Sequence, residues 1–454
     1  MKLYCEGKNY KLYQGSMLDL GEVIKPNSIG AVITDPPYEL NFMNKGWDNS
    51  GIAFQSDTWR KCFEVLKPGG YLLAFGGSRT FHRIAVAIED AGFEIRDVIM
   101  WLYGSGFPKS MNIGKGVEAK LTTGSANTQE FKNLKGTKEA SGDWGLNKNA
   151  LDYGARPSDY SADGHLRTVD VDYTTEEGRK WDGWGTALKP SYEPIIVARK
   201  PCEDSCISNV LKYGVGGLNI DECRIGDEVI KGATMPKMES KANGINVYNF
   251  SKHGAERLER PDSVGRFPAN TILTYDNNDF EEVCGGMPED AERYLYCAKA
   301  SQKDRDEGLD EFDIISTGEL QGGHKEGSAG SIMQNANGGT RVNPYAGTGT
   351  PKRNNHPTVK PTELMQYLVR LVTPDGETVL DTFNGSGSTG KAVMFENIEN
   401  NKDYKYIGIE LTPEYLPIAK ARIEWPLNRP DVQEITYDDG SRQMNIFDYI
   451  KKEG

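Results

Sequence analysis

The chain is poor in cysteine, in positive charge and in long apolar runs. Seven cysteines in 454 residues are too few for a disulfide scaffold, and the odd number would leave one unpaired, so free thiols are expected. No stretch approaches the ~20 apolar residues that cross a bilayer. The opening Met1-Lys2-Leu3-Tyr4-Cys5 lacks the charged-then-apolar layout of a secretion signal. A membrane protein is excluded on this reading and a cytoplasmic location is expected. Lys plus Arg number 53 against 66 Asp plus Glu, a formal net charge of −13. That argues against wholesale neutralisation of a nucleic-acid backbone, yet net charge averages over faces and leaves room for one basic cleft. What the chain does have is length, enough for about three structural units.

The first hundred residues read as α/β. Ile29 to Thr34 (IGAVIT) is a short β-branched run, the profile of a buried parallel strand. A helix is expected over Asp57 to Leu66, stopped by Lys67-Pro68-Gly69-Gly70, with strands at Tyr71 to Phe75 and Phe93 to Trp101 around a helix at Phe81 to Ala91. Alternating strand and helix predicts a parallel sheet. From about residue 120 to 184 the periodicity fades into a polar insertion. Pro194 to Arg199 restores a strand, and residues 213 to 353 read as a separate, irregular module, most disorder-like over Gly318 to Gly349. Order returns with a helix at Pro361 to Val372 and strands at Glu377 to Asp381 and Tyr404 to Glu410. A last helix, opened by Thr412 and Pro413, runs towards Glu424.

Between the last two strands Gly385, Gly387 and Gly390 form G-x-G-x-x-G at a strand-to-helix turn. Glu410 ends the following strand, where a carboxylate can accept both hydroxyls of a ribose. The pattern suits NAD, FAD or S-adenosylmethionine, and a turn that merely tightens helix packing would look the same. Gly385 to Lys391 also matches G-x-x-x-x-G-K, but Ala392 stands where a P-loop needs a hydroxyl for magnesium.

Asp35-Pro36-Pro37-Tyr38 follows the first strand. At about 5% per residue an exact tetrapeptide arises by chance a few times per thousand chains of this length. Its chemistry suits an exocyclic amine of adenine or cytosine, a poor nucleophile because its lone pair is delocalised into the ring. The Asp35 carboxylate and the Pro36 carbonyl can accept both amine hydrogens and aim the lone pair at an electrophile. Pro37 stiffens the turn, and Tyr38 offers a face on which a flipped base stacks.

TDPPY at Thr34 to Tyr38, NHPTVKP at Asn355 to Pro361, LDTFNGSGSTG at Leu380 to Gly390 and GIEL at Gly408 to Leu411 resemble the motifs of DNA amino-methyltransferases. The order resembles the permuted, beta-class subgroup, in which DPPY precedes the glycine loop and target recognition lies between. WLYGSGFPKS at Trp101 to Ser110, LKPSYEPIIVARKP at Leu188 to Pro201 and RFPANTIL at Arg266 to Leu273 are similar in patches. The resemblance implies a Rossmann-like S-adenosylmethionine-dependent sheet with helices on both faces and an inserted irregular α+β recognition region. It divides the chain into a catalytic half (1–119), a polar insertion (120–184), a return strand (185–212), a recognition region (213–353) and a cofactor half (354–454). It implies transfer to adenine in flipped duplex DNA, with cytosine or a non-catalytic DNA-binding subunit as alternatives. Asp35, Pro36, Pro37 and Tyr38 would hold the target. Asp381, Phe383, Asn384, Gly385, Ser386, Gly387 and Glu410 would line the cofactor pocket, and Thr358 and Lys360 would meet the methionine carboxylate. A bacterial or phage-infected cell is the implied setting; a second copy of the chain and a restriction endonuclease encoded elsewhere are open partners. One departure is Gly15-Ser16, where many relatives carry Gly-Asp.

Three other readings are set beside this one. Pro201-Cys202 could supply the nucleophile of a ring-carbon methyltransferase. Cys202 and Cys206 could begin a zinc site with Cys223 or His253, although no second close pair follows, and no metal is expected. Trp181 and Trp184 could stack bases or anchor a core.

Overall fold

The computed structural model describes residues 1–40, 46–103, 110–124, 173–232, 261–274, 294–297, 299–316, 332–334, 340–342 and 351–429, with short paired stretches between 234 and 259. Among these, ten strands join in one sheet: β1 (Lys2–Gly7), β2 (Tyr10–Gln14), β3 (Ile29–Thr34), β4 (Leu66–Phe75), β5 (Glu94–Leu102), β6 (Tyr192–Arg199), β7 (Thr271–Leu273), β8 (Leu295–Tyr296), β9 (Thr378–Asp381) and β10 (Lys405–Glu410). Their order is β1-β2-β10-β9-β3-β4-β6-β5-β7-β8. The helices are α1 (Ser56–Val65), α2 (Phe81–Asp90), α3 (Ile113–Thr123), α4 (Glu176–Lys180), α5 (Cys206–Tyr213), α6 (Gln302–Asp306), α7 (Thr362–Val372), α8 (Ser388–Glu399) and α9 (Leu416–Glu424).

All six residues of β3 are buried, as expected for a strand covered on both faces. Successive side chains alternate between those faces. Val32, Leu72, Ala74, Ile196, Leu380 and Ile409 pack with Trp59, Cys62, Ile84 and Ile88 of α1 and α2. On the alternate positions Ile33, Leu73, Ile195 and Val379 are equally buried, and α7 packs against β3 and β4.

The parallel expectation holds for β2, β10, β9, β3 and β4. It fails for β6, which runs antiparallel to β4 with Phe75 opposite Ile195 and Tyr71 opposite Arg199. The reversal has a consequence for the site, because it sets Glu193 beside the carboxyl ends of β3 and β4. From β3 the chain continues to β4 on one side, and from β9 to β10 on the other. β3 and β9 therefore flank a switch point, the crevice where open α/β sheets bind ligands.

Two expectations need correction. α1 ends at Val65, and Lys67-Pro68-Gly69-Gly70 lies inside β4 as a bulge rather than in a separate turn. Gly69, at φ +78, has the Asn209 amide 2.2 Å from where a Cβ would sit, so only glycine fits. Second, β7 and β8 lie within the stretch read as a separate module, yet β7 pairs with β5 in the main sheet. The apolar Ile272 and Leu273 are buried there, which is the physical reason they belong to the sheet. The remaining strands of that stretch form small antiparallel pairs, and most of Gly318 to Gly349 lies outside the described residues.

The chain divides into two compact units, one of Met1–Leu102 with Glu193–Gly454 and one of Tyr103–Tyr192. In the second, the buried Glu118 of α3 accepts hydrogen bonds from the Thr174 and Thr175 backbone N–H groups at 2.8 and 3.1 Å, and the Thr175 hydroxyl caps α4. Trp181 and Trp184 pair edge to face at 5.1 Å. They are 38% and 60% exposed, so they do not anchor a core. No helix among the described residues is long and apolar enough to cross a membrane.

Candidate active site

Asp35 follows the last residue of β3, and the turn after it is clamped. Thr80 donates its hydroxyl to the Tyr38 carbonyl at 2.8 Å. Asp48 accepts from the backbone of Glu39 and Leu40 at 2.9 and 3.2 Å. Glu39 sits at φ +55, a left-handed conformation that costs a non-glycine residue about 1 kcal/mol or more and persists only where neighbours impose it.

The glycine loop starts one strand away. Asp381, 3% exposed, accepts from the Thr34 hydroxyl at 2.7 Å, the Phe383 N–H at 3.1 Å and the Thr389 hydroxyl at 2.6 Å. Burial outweighs those bonds and raises its carboxyl to about 6. Thr34 immediately precedes Asp35, so the two loops share one buried hydrogen-bond cluster. Gly385 and Gly387 have φ of +51 and +75. A Cβ on Gly387 would sit 3.0 Å from the Ala419 backbone, so this turn requires glycine. Glu410 accepts from the Gly385 N–H and the Thr412 N–H, each at 2.7 Å. Burial raises its carboxyl despite both bonds.

Residues 354–361 form a strap across both loops. The His356 ring lies over Gly385, 2.8 Å from the position of its Cβ, and meets Tyr415 edge to face at 4.5 Å. Burial pushes the imidazole down to about 3, which keeps it neutral. Four residues on, the Lys360 ammonium meets Asp35 Oδ2 at 2.6 Å, the Tyr38 hydroxyl at 3.2 Å and Glu193 Oε2 at 3.4 Å. Tyr38 donates its hydroxyl to Glu193 at 2.9 Å. Burial raises the Asp35 carboxyl and Lys360 pulls the other way, with a net rise. The two carboxylates outweigh burial at Lys360 and hold it charged. Asp35 Oδ1, in contrast, is buried without a hydrogen-bond partner, as is Asn355 Oδ1.

The structure thus brings Asp35, Tyr38 and Lys360 together, and beside them Asp381, Phe383, Asn384, Gly385, Gly387 and Glu410. Pro36 and Pro37 are buried in the turn. Lys360 lies against the acidic turn, and Thr358 is exposed with its carbonyl bonded to His356 Nδ1 at 2.5 Å. Ser386 faces Arg422, which donates to its carbonyl and hydroxyl at 2.9 and 3.0 Å. Asn384 Oδ1 accepts from the Tyr406 hydroxyl at 2.7 Å. Ser16 caps the turn of Met17–Glu22 through Leu18 N–H, while Gly15 N–H donates to the Glu410 carbonyl at 3.0 Å.

Motif reading left three groups unassigned. Thr34 figures only as the first residue of TDPPY, Glu193 lies on the strand that EPIIVAR pointed to, and the α6 carboxylate Asp304 has no short signature. Asp304 accepts from Lys391 at 2.7 Å and from Thr362 N–H at 3.0 Å. Glu307 takes Lys391 at 2.8 Å as well. Lys391 is fully buried and turned away from the loop, so the P-loop reading loses its lysine as well as its hydroxyl. Cys202 lies past Arg199, the end of β6 opposite Glu193, which removes it from the acidic turn. Its Sγ is 3.7 Å from Cys206 Sγ. Among the described residues no group of three or more His, Cys, Asp or Glu could hold a metal ion; His253 lies outside them.

A model of the N6/N4 DNA methylase family matches residues 29–421. The chain belongs to that family. Among curated relatives, the Type II methyltransferase M2.LlaDCHI of Lactococcus lactis subsp. cremoris is 25% identical over 239 residues, 48% of this chain and 82% of that one. DNA adenine methyltransferase YhdJ of Escherichia coli (strain K12) is 34% identical over 70 residues, 15% of this chain and 22% of that one. Among solved structures, PvuII DNA methyltransferase (cytosine-N4-specific) aligns over 91% of this chain and 86% of that one at 13% identity, with a TM-score of 0.37. The family's methyl donor is S-adenosylmethionine, and the residues present fit it. Glu410 accepts one backbone N–H on each carboxylate oxygen and stands at the strand end where a carboxylate can accept ribose hydroxyls.

Proposed function

We propose that the chain is a site-specific DNA methyltransferase of the permuted, beta-class order that flips an adenine from duplex DNA and methylates its exocyclic amine. The observation that carries this reading is Asp35 Oδ1, a buried acceptor with no partner on a clamped turn. An unpaired buried acceptor costs about 1–3 kcal/mol, and a donor from outside the chain would recover it. The amine would give one hydrogen to Asp35 and the other to the Pro36 carbonyl, with Tyr38 against the base. S-adenosylmethionine held at the glycine loop would supply an electrophilic methyl; Asp35 and the Pro36 carbonyl would aim the amine lone pair at it, and one amine proton would pass to water.

On this reading Gly385, Gly387, Phe383 and Asp381 shape the cofactor cleft and Glu410 takes the ribose. Lys360 favours the ionised form of Asp35, a role different from a contact with the methionine carboxylate. Residues 213 to 353 read the target sequence. Adenine is favoured over cytosine because the turn is Asp-Pro-Pro-Tyr rather than Ser-Pro-Pro-Tyr, and because a relative named for adenine is 34% identical over 70 residues. The test incubates the chain with tritiated S-adenosylmethionine and unmethylated genomic DNA, then identifies the labelled nucleoside. N6-methyladenine is expected; N4-methylcytosine would overturn the choice of base, and unlabelled DNA the whole reading.

A further inference from the structure

Glu193 enters the site through topology. The antiparallel run of β6 carries its first residues past Phe75, and Glu193 Oε2 then accepts from the Tyr38 hydroxyl at 2.9 Å and lies 3.4 Å from the Lys360 ammonium. Its side chain is 20% exposed, against 8% for Lys360 and 21% for Asp35. Two carboxylates therefore share one ammonium. A lone Asp35–Lys360 pair would be neutral; with Glu193 the group carries one uncompensated negative charge beside the open Asp35 Oδ1.

Resting on the function proposed above, we propose that Glu193 is a positioning residue for methyl transfer: it anchors the Tyr38 ring and shares Lys360, so that the cluster as a whole keeps one net negative charge beside a target amine turning cationic. During transfer positive charge passes from sulfur to the amine nitrogen and persists until one proton leaves to water. A fixed negative group at that nitrogen favours the change, and it does so most where water is scarce. Removing the Glu193 charge while keeping its shape weakens that stabilisation without touching the glycine loop.

The full chain tests this in single-turnover transfer at saturating cofactor and DNA. Glu193→Gln is expected to slow the step on the order of 10²-fold, with the S-adenosylmethionine dissociation constant unchanged within about threefold. The acid limb of its pH–rate profile moves to lower pH. A negative neighbour favours protonated Asp35, so its loss favours the carboxylate; the other groups facing Asp35, namely Lys360, Tyr38 and Asp381, stay in place. Glu193→Asp keeps the charge and returns the limb towards the wild-type position. Tyr38→Phe keeps the Glu193 charge but loses the hydroxyl that meets Glu193, Lys360 and Asp35, so its rate falls several-fold and its limb moves to higher pH, opposite to the Gln variant. Should the Gln variant not fold, Tyr38→Phe carries the test, and an unchanged rate there overturns the anchor. A Gln variant with wild-type rate and limb overturns the inference while wild-type transfer and a dead Asp35→Ala uphold the function; a wild type that never labels DNA overturns both.

Discussion

Asp35 and Asp381 stand at the carboxyl ends of neighbouring parallel strands, and they are bonded in opposite ways. Asp381 has both oxygens occupied by three donors, one each from β3, the glycine loop and the first turn of α8. Asp35 spends one oxygen on Lys360 and leaves the other buried without a partner. A saturated carboxylate holds the crevice together, whereas a half-satisfied one is a reserve of unmet hydrogen bonding that a ligand can use. The same residue type at equivalent places in one sheet is thereby set to two tasks by its neighbours alone.

The sharpest way to break the comparison is Asp35→Ala. Transfer should fall at least about 10³-fold, equivalent to about 4 kcal/mol of barrier, with cofactor affinity within a few-fold by calorimetry. A variant with near-normal turnover would make Asp35 no more chemical than Asp381. Lys391→Ala probes the packing behind the glycine loop. Leaving Asp304 and Glu307 without their buried cation should cost about 3–5 kcal/mol in urea unfolding, and a loss below about 1 kcal/mol would contradict the buried ion-pair assignment. Gly387→Val should raise the S-adenosylmethionine dissociation constant about tenfold or more, because a side chain at φ +75 meets the Ala419 backbone. An unchanged constant would separate that turn from the cofactor.

The smallest effect sharpens the contrast. The Asp381 carboxyl is raised to about 6 from 3.8, so its contribution to stability is complete below about pH 4 and is lost as pH rises through about 6. Asp381→Asn keeps the shape and most of the hydrogen bonds, and should cost about 1 kcal/mol. Urea midpoints of wild type and variant should approach each other as pH rises from 4 and cross before pH 7, as only wild type loses this contribution, which at about two pKa units exceeds the gap between them. Parallel curves would show that Asp381 does not titrate in that window.

Much of this was legible in the residues. IGAVIT, the helical spacing after Asp57, and the glycines before α8 mark their elements, since burial and backbone freedom act locally. KPGG was misread because a bulge inside a strand and a turn after a helix use the same residues; the Asn209 amide that decides between them is 140 positions away. TIL at 271–273 was assigned to a separate module because three apolar residues do not announce which sheet they complete. Lys360 was matched to a carboxylate of the cofactor, and the partner it meets is Asp35, 325 residues earlier.

Sequence by itself determined the parts: a stiff acidic turn after one buried strand, a glycine turn after another, and membership of the DNA methylase family. Only the tertiary structure decided which carboxylate is saturated and which is left open, and which strand end carries Glu193 to Tyr38. Hydrogen-bond saturation depends on neighbours hundreds of residues apart in the chain, and strand direction depends on how a sheet closes over its core. Neither is a property of a short run of residues.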